Sequence, residues 1–194
     1  MLATSIHLLT LALQPSTAPK TGGPMRRGDE ASLMRQRSHG TCAKSPSLSL
    51  RWGVVREEAD QICCFNRHYA EPSGAYERNL IYLNEAKRGR EIVYYDSITG
   101  KPLFVAPRGR TIDAFLEESS HHGWPSFRDE EVVWEHVRVL PDGETVSTDG
   151  SHLGHNIPDA KGSRYCINLC SVAGQPPPRR ISADDVRAAL RSSL

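Results

Sequence analysis

The chain lacks three features that would assign it to a class at once: long hydrophobic runs, an excess of one charge, and a regular cysteine framework. Its most apolar stretch, residues 6–13, is far shorter than the roughly 20 residues that span a bilayer, so no transmembrane helix is expected. The formal net charge of +1 gives no electrostatic preference for nucleic acid or a lipid surface. The length of 194 residues with 38% hydrophobic residues is typical of one soluble globular domain.

The cysteines are odd in number, and their spacing differs from that of a secreted, disulfide-rich domain. We therefore expect reduced thiols, with at least one of them used in catalysis. The five are Cys42, Cys63, Cys64, Cys166 and Cys170.

Both ends of the chain differ from its middle. The first fifty residues are rich in Ser, Thr, Arg and Lys, and Asp29 and Glu30 are their only acids. This composition indicates an organellar transit peptide, for a plastid or a mitochondrion, or an unstructured extension of a cytosolic protein. We expect a targeting or disordered segment over 1–53 and a folded domain over 54–175. A Pro-rich linker and a short helix at 183–191 then complete residues 176–194.

The middle of the chain reads mostly as strand and turn. The sequence Pro141-Asp142-Gly143 is a turn signal that predicts a hairpin over 132–148. One helix is predicted, with Thr111 as its N-cap and its end before Gly123. Short runs of β-branched and aromatic residues predict strands at 91–96, 103–106, 132–140 and 165–172.

A thiol, two imidazoles and an amide follow one another late in this region: His152, His155, Cys166 and Asn168. A thiol attacks as thiolate, and a reaction that expels oxygen needs a proton donor nearby. Each residue alone would more often be structural, because free cysteines are commonly buried and interior amides satisfy backbone groups. Two histidines three residues apart could also bind a metal. The occurrence of all four residues together favours cysteine redox chemistry.

Four segments together resemble the B-type methionine-R-sulfoxide reductases, the SelR domain family, in order and spacing over residues 94–172. The resemblance implies a mainly β fold of antiparallel sheets with one or two short peripheral helices. It also implies reduction of the R epimer of methionine sulfoxide in oxidised proteins, a repair reaction of the oxidative stress response. The segments are Tyr94–Gly100 with Pro102-Leu103-Phe104, Gly123-Trp124-Pro125-Ser126-Phe127, His152-Leu153-Gly154-His155 with Pro158-Asp159, and Arg164-Tyr165-Cys166-Ile167-Asn168.

The resemblance also implies residue roles. Cys166 attacks the sulfoxide sulfur and becomes a sulfenic acid, while His155 protonates the oxygen with support from His152. Asn168 lies two residues from Cys166 and completes the catalytic set. Substrate is bound by Trp124, whose indole would pack against the methyl group, and by Arg164, whose charge would also favour the thiolate.

Two departures from the family pattern concern zinc and recycling. Many relatives hold a structural zinc with two Cys-x-x-Cys pairs, but the aligned positions here are Asp96, Thr99, Val146 and Asp149, so we expect no zinc and no other bound cofactor. Packing or hydrogen bonds must then hold those loops.

The usual resolving cysteine is replaced by His122. The candidate resolvers are Cys63 and Cys64, and direct reduction by thioredoxin or another thiol is the alternative. Cys170 is expected to be a buried apolar residue.

Residues 62–76 lie outside these motifs and predict a packing arm or a lip over the active site. We expect His68 and Glu71 within them to be surface polar groups, and the acids at 129–131 to form a solvated turn.

Two functions remain open. The first is a monomeric reductase that acts on oxidised proteins and is recharged by a thioredoxin-like reductant, with no nucleic-acid or membrane partner. The alternative is a non-catalytic relative that binds a partner or oxidised methionine. A cysteine hydrolase is disfavoured because no oxyanion-hole motif is present.

Overall fold

The computed structural model describes residues 18–177 together with Arg187 and Arg191. All strand pairs within its two sheets are antiparallel, and the predicted mainly β class is confirmed, with more short helices than expected. The strands are β1 (Ile92–Tyr95), β2 (Pro102–Ala106), β3 (Ser126–Phe127), β4 (Val137–Val139), β5 (Glu144–Ser147), β6 (His152–Asn156) and β7 (Tyr165–Ile167). The α-helices are α1 (Glu30–Leu33), α2 (Arg56–Asp60), α3 (Leu80–Ala86) and α4 (Ile112–His122). A π-helical turn, Gln61–Phe65, continues α2, and 3-10 turns cover Arg51–Gly53, Tyr76–Arg78, Asp129–Glu131 and Leu169–Val172.

The larger sheet has the strand order β3-β7-β6-β5-β4, and β1 and β2 form a separate hairpin. The hairpin predicted over 132–148 is confirmed as β4 and β5, joined by the Pro141-Asp142-Gly143 turn. Gly143 has a φ of 95°, a conformation that glycine adopts without a steric penalty. The sheet order puts β7 between β3 and β6, so the cysteine strand has a neighbour on each side.

Aromatic side chains join the two sheets and α4 in one core. Phe127 on β3 stacks on Phe104 of β2 at a centroid distance of 4.3 Å. Tyr94 of β1 and Phe115 of α4 contact the same ring at 4.9 Å and 5.4 Å. Full burial of one such ring contributes about 1.5–3 kcal/mol, so this cluster fixes β3 and the residues that precede it.

Helix α4 begins and ends as the sequence predicts. The hydroxyl of Thr111 accepts a hydrogen bond from the backbone N–H of Ala114, and Gly123 ends the helix in the left-handed conformation at φ 85°. Trp124 follows directly, so the end of α4 determines where its indole lies.

The predicted domain boundary at Val54 is wrong for the described part of the segment before it. Gly22 and Gly28 donate backbone hydrogen bonds to Val132 and Val139, each at 3.0 Å, and Trp52 is buried. Backbone pairing of this kind leaves no hydrophobic pattern, which is why a polar composition concealed it. The apolar stretch at 6–13 lies outside the described residues, as does the helix predicted at 183–191 apart from Arg187 and Arg191.

The strand predicted over 165–172 is shorter than expected. It ends at Ile167, and Leu169–Val172 form a buried 3-10 turn. The backbone N–H groups of Leu169 and Cys170 donate to the carboxylate of Glu71 rather than to a neighbouring strand. Because these N–H groups bond to Glu71, they cannot pair with a neighbouring strand, and β7 ends before them.

The expectation of five reduced thiols is wrong for two of them. Cys42 and Cys64 form a disulfide with Cα atoms 5.3 Å apart, within the range for such bonds. Cys63, Cys166 and Cys170 are free. Among the described residues, no helix is both long and apolar enough to cross a bilayer.

Candidate active site

Four polar side chains lie in one row across the larger sheet. The strand register pairs Ser126 with Cys166, Cys166 with His155, and His155 with Glu144. Residues directly opposite each other in antiparallel strands have Cβ atoms about 4.5–5.5 Å apart. The thiol of Cys166 therefore has a hydroxyl on one side and an imidazole on the other, with Ser126 Oγ 3.8 Å from its Sγ.

A bulge brings the second imidazole to the same face. Residues three apart on a regular strand point to opposite faces, but Leu153 is an extra residue in β6, because Gly154 pairs with Thr145 and His152 pairs with Val146. The rings of His152 and His155 then lie 5.5 Å apart. A side chain at Gly154 would collide with the carbonyl of Cys166, so this close strand approach requires glycine.

Arg164 supplies the positive charge beside the thiol. It directly precedes β7, two residues before Cys166, and its guanidinium donates to Cys166 Sγ. Arg164 is buried, and its Nε lies 3.5 Å from the carboxylate of Asp159. A guanidinium bonds a thiolate more strongly than a neutral thiol, because the hydrogen bond is charge-assisted, and the thiolate is the nucleophilic form.

His152 is held by a buried acid. Its Nδ1 lies 2.7 Å from Glu144 Oε1, and Arg67 Nε donates to Glu144 Oε2 at 3.0 Å. Burial raises the pKa of Glu144, but hydrogen bonds from His152 and Arg67 outweigh it and hold that pKa below its usual range. The carboxylate therefore stays charged and orients the His152 ring.

His155 is more open to solvent and has a different environment. Burial of part of its ring lowers the pKa of His155 below 6.5, and the neighbouring His152 lowers it further. At neutral pH the imidazole is thus mainly neutral. The protonated form, which could donate a proton, is populated mainly in acidic solution.

Cys166, His152 and His155 line a pocket of about 170 Å³, and Arg164 is not among its lining residues. One wall is the segment 67–70, which we call the lip. The lining residues are Arg67, His68, Tyr69, Ala70, Trp124, His152, Gly154, His155, Ile157, Cys166 and Asn168.

The expectation that Glu71 is a surface group is wrong. It is 7% exposed, and its carboxylate accepts hydrogen bonds from the backbone N–H groups of Leu169 and Cys170. Burial raises the pKa of Glu71 to about 7, although the two backbone donors oppose this. No sequence signal identifies such a residue, because its partners are backbone groups. His68 is exposed, as expected, although it lines the pocket.

Backbone atoms of Glu71 also join the lip to two predicted site residues. Its N–H donates to Asn168 Oδ1 and its carbonyl accepts from Trp124 Nε1, both at 2.9 Å. Asn168 Nδ2 donates to the carbonyl of Leu153 at 3.1 Å. The amide of Asn168 thus connects the lip to β6, and the edge of Trp124 is fixed while its ring lines the pocket.

The two candidate resolving cysteines lie outside the pocket. Neither Cys63 nor Cys64 lines the pocket in the described part of the chain, and Cys64 is bonded to Cys42. Cys63 is fully buried with its Sγ 3.4 Å from Ser171 Oγ, and burial raises the pKa of its thiol well above the usual value. Cys170 is buried, as expected.

Hydrogen bonds join the two loops that carry the positions aligned with zinc ligands. Asp96 accepts from the backbone N–H groups of Ile98 and Thr99 and from Ser151 Oγ. Lys101 pairs with Asp149 at 2.8 Å. Val146 instead packs with Met34 and Leu140. The absence of zinc at these positions stays a prediction.

A larger cleft of about 500 Å³ is lined by Arg110 and Arg128. Both guanidiniums pair with Glu118, and Arg110 also pairs with Glu131 at 2.6 Å. Glu131 is fully buried, so the solvated turn expected at 129–131 is wrong for that residue. Because these charges are already compensated, the cleft offers no comparable chemistry.

Comparison with known proteins finds relatives that match part of the chain. No family model matches the chain. The chain is 36% identical over 102 residues to the peptide methionine sulfoxide reductase MsrB of Staphylococcus saprophyticus. The match covers 47% of this chain and 64% of the relative, so the chain spans less than two thirds of that protein's length. Over about half of its length, this chain is therefore similar to a methionine sulfoxide reductase.

Proposed function

We propose that this chain is a B-type reductase that converts methionine-R-sulfoxide in oxidised proteins to methionine, with Cys166 as the nucleophile. The observation that carries the proposal is the geometry around the thiol. Cys166 lines a pocket, lies opposite His155 in the strand register and accepts a hydrogen bond from Arg164. The similarity to MsrB of Staphylococcus saprophyticus supports the same reaction.

The chemistry follows from the polarity of the sulfoxide. The Cys166 thiolate attacks the electrophilic sulfur and forms an S–S bond while the oxygen takes up one proton. The hydroxyl then transfers to Cys166 Sγ as the sulfoxide S–O bond and the S–S bond break. The products are methionine and a sulfenic acid on Cys166. His155 donates the proton, and His152, held by Glu144, supports that ring.

Binding of the substrate uses the indole of Trp124, whose apolar face would contact the methyl group of the sulfoxide. The Arg164 guanidinium stabilises the Cys166 thiolate and holds it beside the sulfur of the bound sulfoxide. Asn168 positions the lip rather than touching the oxygen, since both ends of its amide already bond backbone atoms.

Recycling requires a second thiol. That thiol attacks the sulfenic acid, releases water and forms a disulfide with Cys166, which a further thiol reduces. We propose thioredoxin or another external thiol as the reductant, because Cys64 is paired with Cys42 and Cys63 is buried. Cys63 remains the internal candidate if residues 61–65 open.

The remaining expectations belong to the same proposal. The protein would act as a monomer, without zinc at Asp96, Thr99, Val146 and Asp149 and without a nucleic-acid or membrane partner. Its compartment would be a plastid or a mitochondrion, with the cytosol as the alternative.

The test is turnover of single epimers. The purified chain is incubated with dithiothreitol and either the R or the S epimer of a blocked methionine sulfoxide, and the thioether product is measured. The expected result is turnover of the R epimer alone, abolished in Cys166→Ser. If the folded chain converts neither epimer, the enzyme reading is wrong. Binding of the R epimer without turnover would then identify the non-catalytic module.

A further inference from the structure

Metal-ligating side chains converge at a second place, outside the pocket. His39 Nε2 lies 2.6 Å from Asp60 Oδ1. One ligand atom from each of His39, Asp60 and Cys64 lies within 4.8 Å of the other two. Cys42 joins the group through its bond to Cys64. The proposed reductase chemistry uses none of these side chains except as a candidate resolver.

Two local structures bring the four residues together. His39 and Cys42 pair through two backbone hydrogen bonds of 3.0 and 2.9 Å across a tight turn. A side chain at Gly40 in that turn would collide with the carbonyl of Cys64, so the turn lies directly against the helix. Asp60 and Cys64 are four residues apart where α2 continues into the π-helical turn, so they share a helix face. Such π-helical insertions are frequent at functional sites.

The chemistry of the group depends on its redox state. In the disulfide, the two sulfurs are bonded to each other and carry no charge. A dithiol reductant breaks the S–S bond, supplying two electrons and two protons and becoming a disulfide itself. The reduced group then offers two thiols, an imidazole nitrogen and a carboxylate oxygen, which is a donor set that zinc accepts.

We propose that the reduced chain binds one Zn²⁺ through Cys42, Cys64, His39 and Asp60, and that this zinc and the Cys42–Cys64 disulfide exclude each other. Binding displaces one proton from each thiol into solvent. With zinc–sulfur and zinc–nitrogen bonds of about 2.3 and 2.05 Å, tetrahedral ligand atoms lie roughly 3.3–3.8 Å apart. To reach this arrangement from a group already within 4.8 Å, the imidazole and the carboxylate must move apart from 2.6 Å, and the sulfurs of Cys42 and Cys64 must separate once their bond is broken.

Either link would fix the same segments. The disulfide and the zinc both tie the turn at 39–42 to the residues that lead into the lip at Arg67. The site is distinct from Asp96, Thr99, Val146 and Asp149, where zinc is not expected.

Metal content is the direct test. The full chain carrying Cys166→Ser, which removes the pocket thiol as a competing ligand, is prepared reduced and oxidised. Each form is mixed with ZnCl₂ and desalted, and the zinc bound per chain is measured by elemental mass spectrometry. We expect about one zinc per reduced chain and less than a tenth of that in the oxidised chain.

Variants separate this site from others. Cys64→Ser and His39→Ala are expected to lower zinc affinity at least about tenfold, whereas Cys63→Ser, one residue away, keeps it. Circular dichroism checks that each variant is folded.

A second readout needs no further variant. Zinc should protect Cys42 and Cys64, but not Cys63, from alkylation in the reduced chain, as mapped by peptide mass spectrometry. Absence of zinc from the reduced, folded chain would overturn the proposal, as would full retention in Cys64→Ser. Neither outcome depends on sulfoxide turnover.

Discussion

Cys166 and Cys63 are both free thiols, yet their surroundings differ in every respect that governs reactivity. Cys166 is partly exposed in the pocket, and Arg164 donates to its sulfur. Cys63 is 0% exposed, and burial raises the pKa of its thiol, with Ser171 opposing only in part. Reactive cysteines lie in electropositive, accessible places, whereas buried ones behave as small hydrophobic residues. Access and charge thus distinguish the two thiols.

Removal of the pocket thiol should give the largest effect. Cys166→Ser is expected to lower kcat/KM for the R epimer at least about 1000-fold, because a hydroxyl is a far weaker nucleophile at neutral pH. Cys170→Ala, which removes a buried thiol beside Ala59 and Ile62, should keep turnover within about threefold. Equal losses in the two variants would show that the position of Cys166 confers nothing special.

The proton donor should have the next largest effect. His155→Gln is expected to lower kcat about 100-fold, the low end for a general acid, whereas the exposed His121→Gln should change little. Because the pKa of His155 is lowered, activity should already decline with rising pH below pH 6.5. The pH profile of kcat tests this, since the decline should disappear in His155→Gln. A persisting decline would assign the proton to another group.

The charge beside the thiol should have a smaller effect. Arg164→Gln is expected to slow alkylation of Cys166 by iodoacetamide at pH 7 about tenfold, a loss of about 1.4 kcal/mol. The exposed Arg88→Gln should leave the rate unchanged. Alkylation is measured by mass spectrometry of the Cys166 and Cys63 peptides in the same sample. A rate for Cys166 that is insensitive to Arg164 would leave access alone as the difference.

What the sequence predicts well is what its side chains encode locally. The N-cap at Thr111 and the stop at Gly123 define α4, and the turn at residues 141–143 defines the β4–β5 hairpin. His155 and Cys166 could be identified from their motif. Their opposition across β6 and β7 could not, because the pairing of separate strands is defined only in the folded sheet. The bulge at Leu153 in the β5–β6 pair, which brings His152 to the same face, could not be predicted either.

What the sequence conceals are interactions with backbone atoms and between distant segments. Glu71 was expected to be a surface acid because its partners are the backbone N–H groups of Leu169 and Cys170, which no side-chain pattern reveals. The disulfide joins residues 22 positions apart outside any recognisable framework. Residues 18–53 were expected to be unstructured because their polar composition does not reveal the backbone pairing of Gly22 and Gly28. In each case, the partner is defined only once the chain has folded.

Glu71 provides the mildest test, since it holds the lip of the pocket without touching the reacting atoms. Its pKa of about 7 lies above its unfolded value of about 4.5 because of burial. A carboxyl with a raised folded pKa stabilises the fold below the unfolded pKa, and this contribution is lost as the pH rises towards the folded pKa. The loss is up to about 3 kcal/mol. Glu71→Gln is neutral at every pH, so its stability relative to the wild type should increase by about 2.5 kcal/mol of that loss between pH 5 and pH 8 in urea unfolding. The exposed Glu77→Gln is the matched control and should show no such trend. A constant difference between Glu71→Gln and wild type would mean that the backbone donors offset burial completely and that the lip is held by a charged carboxylate throughout.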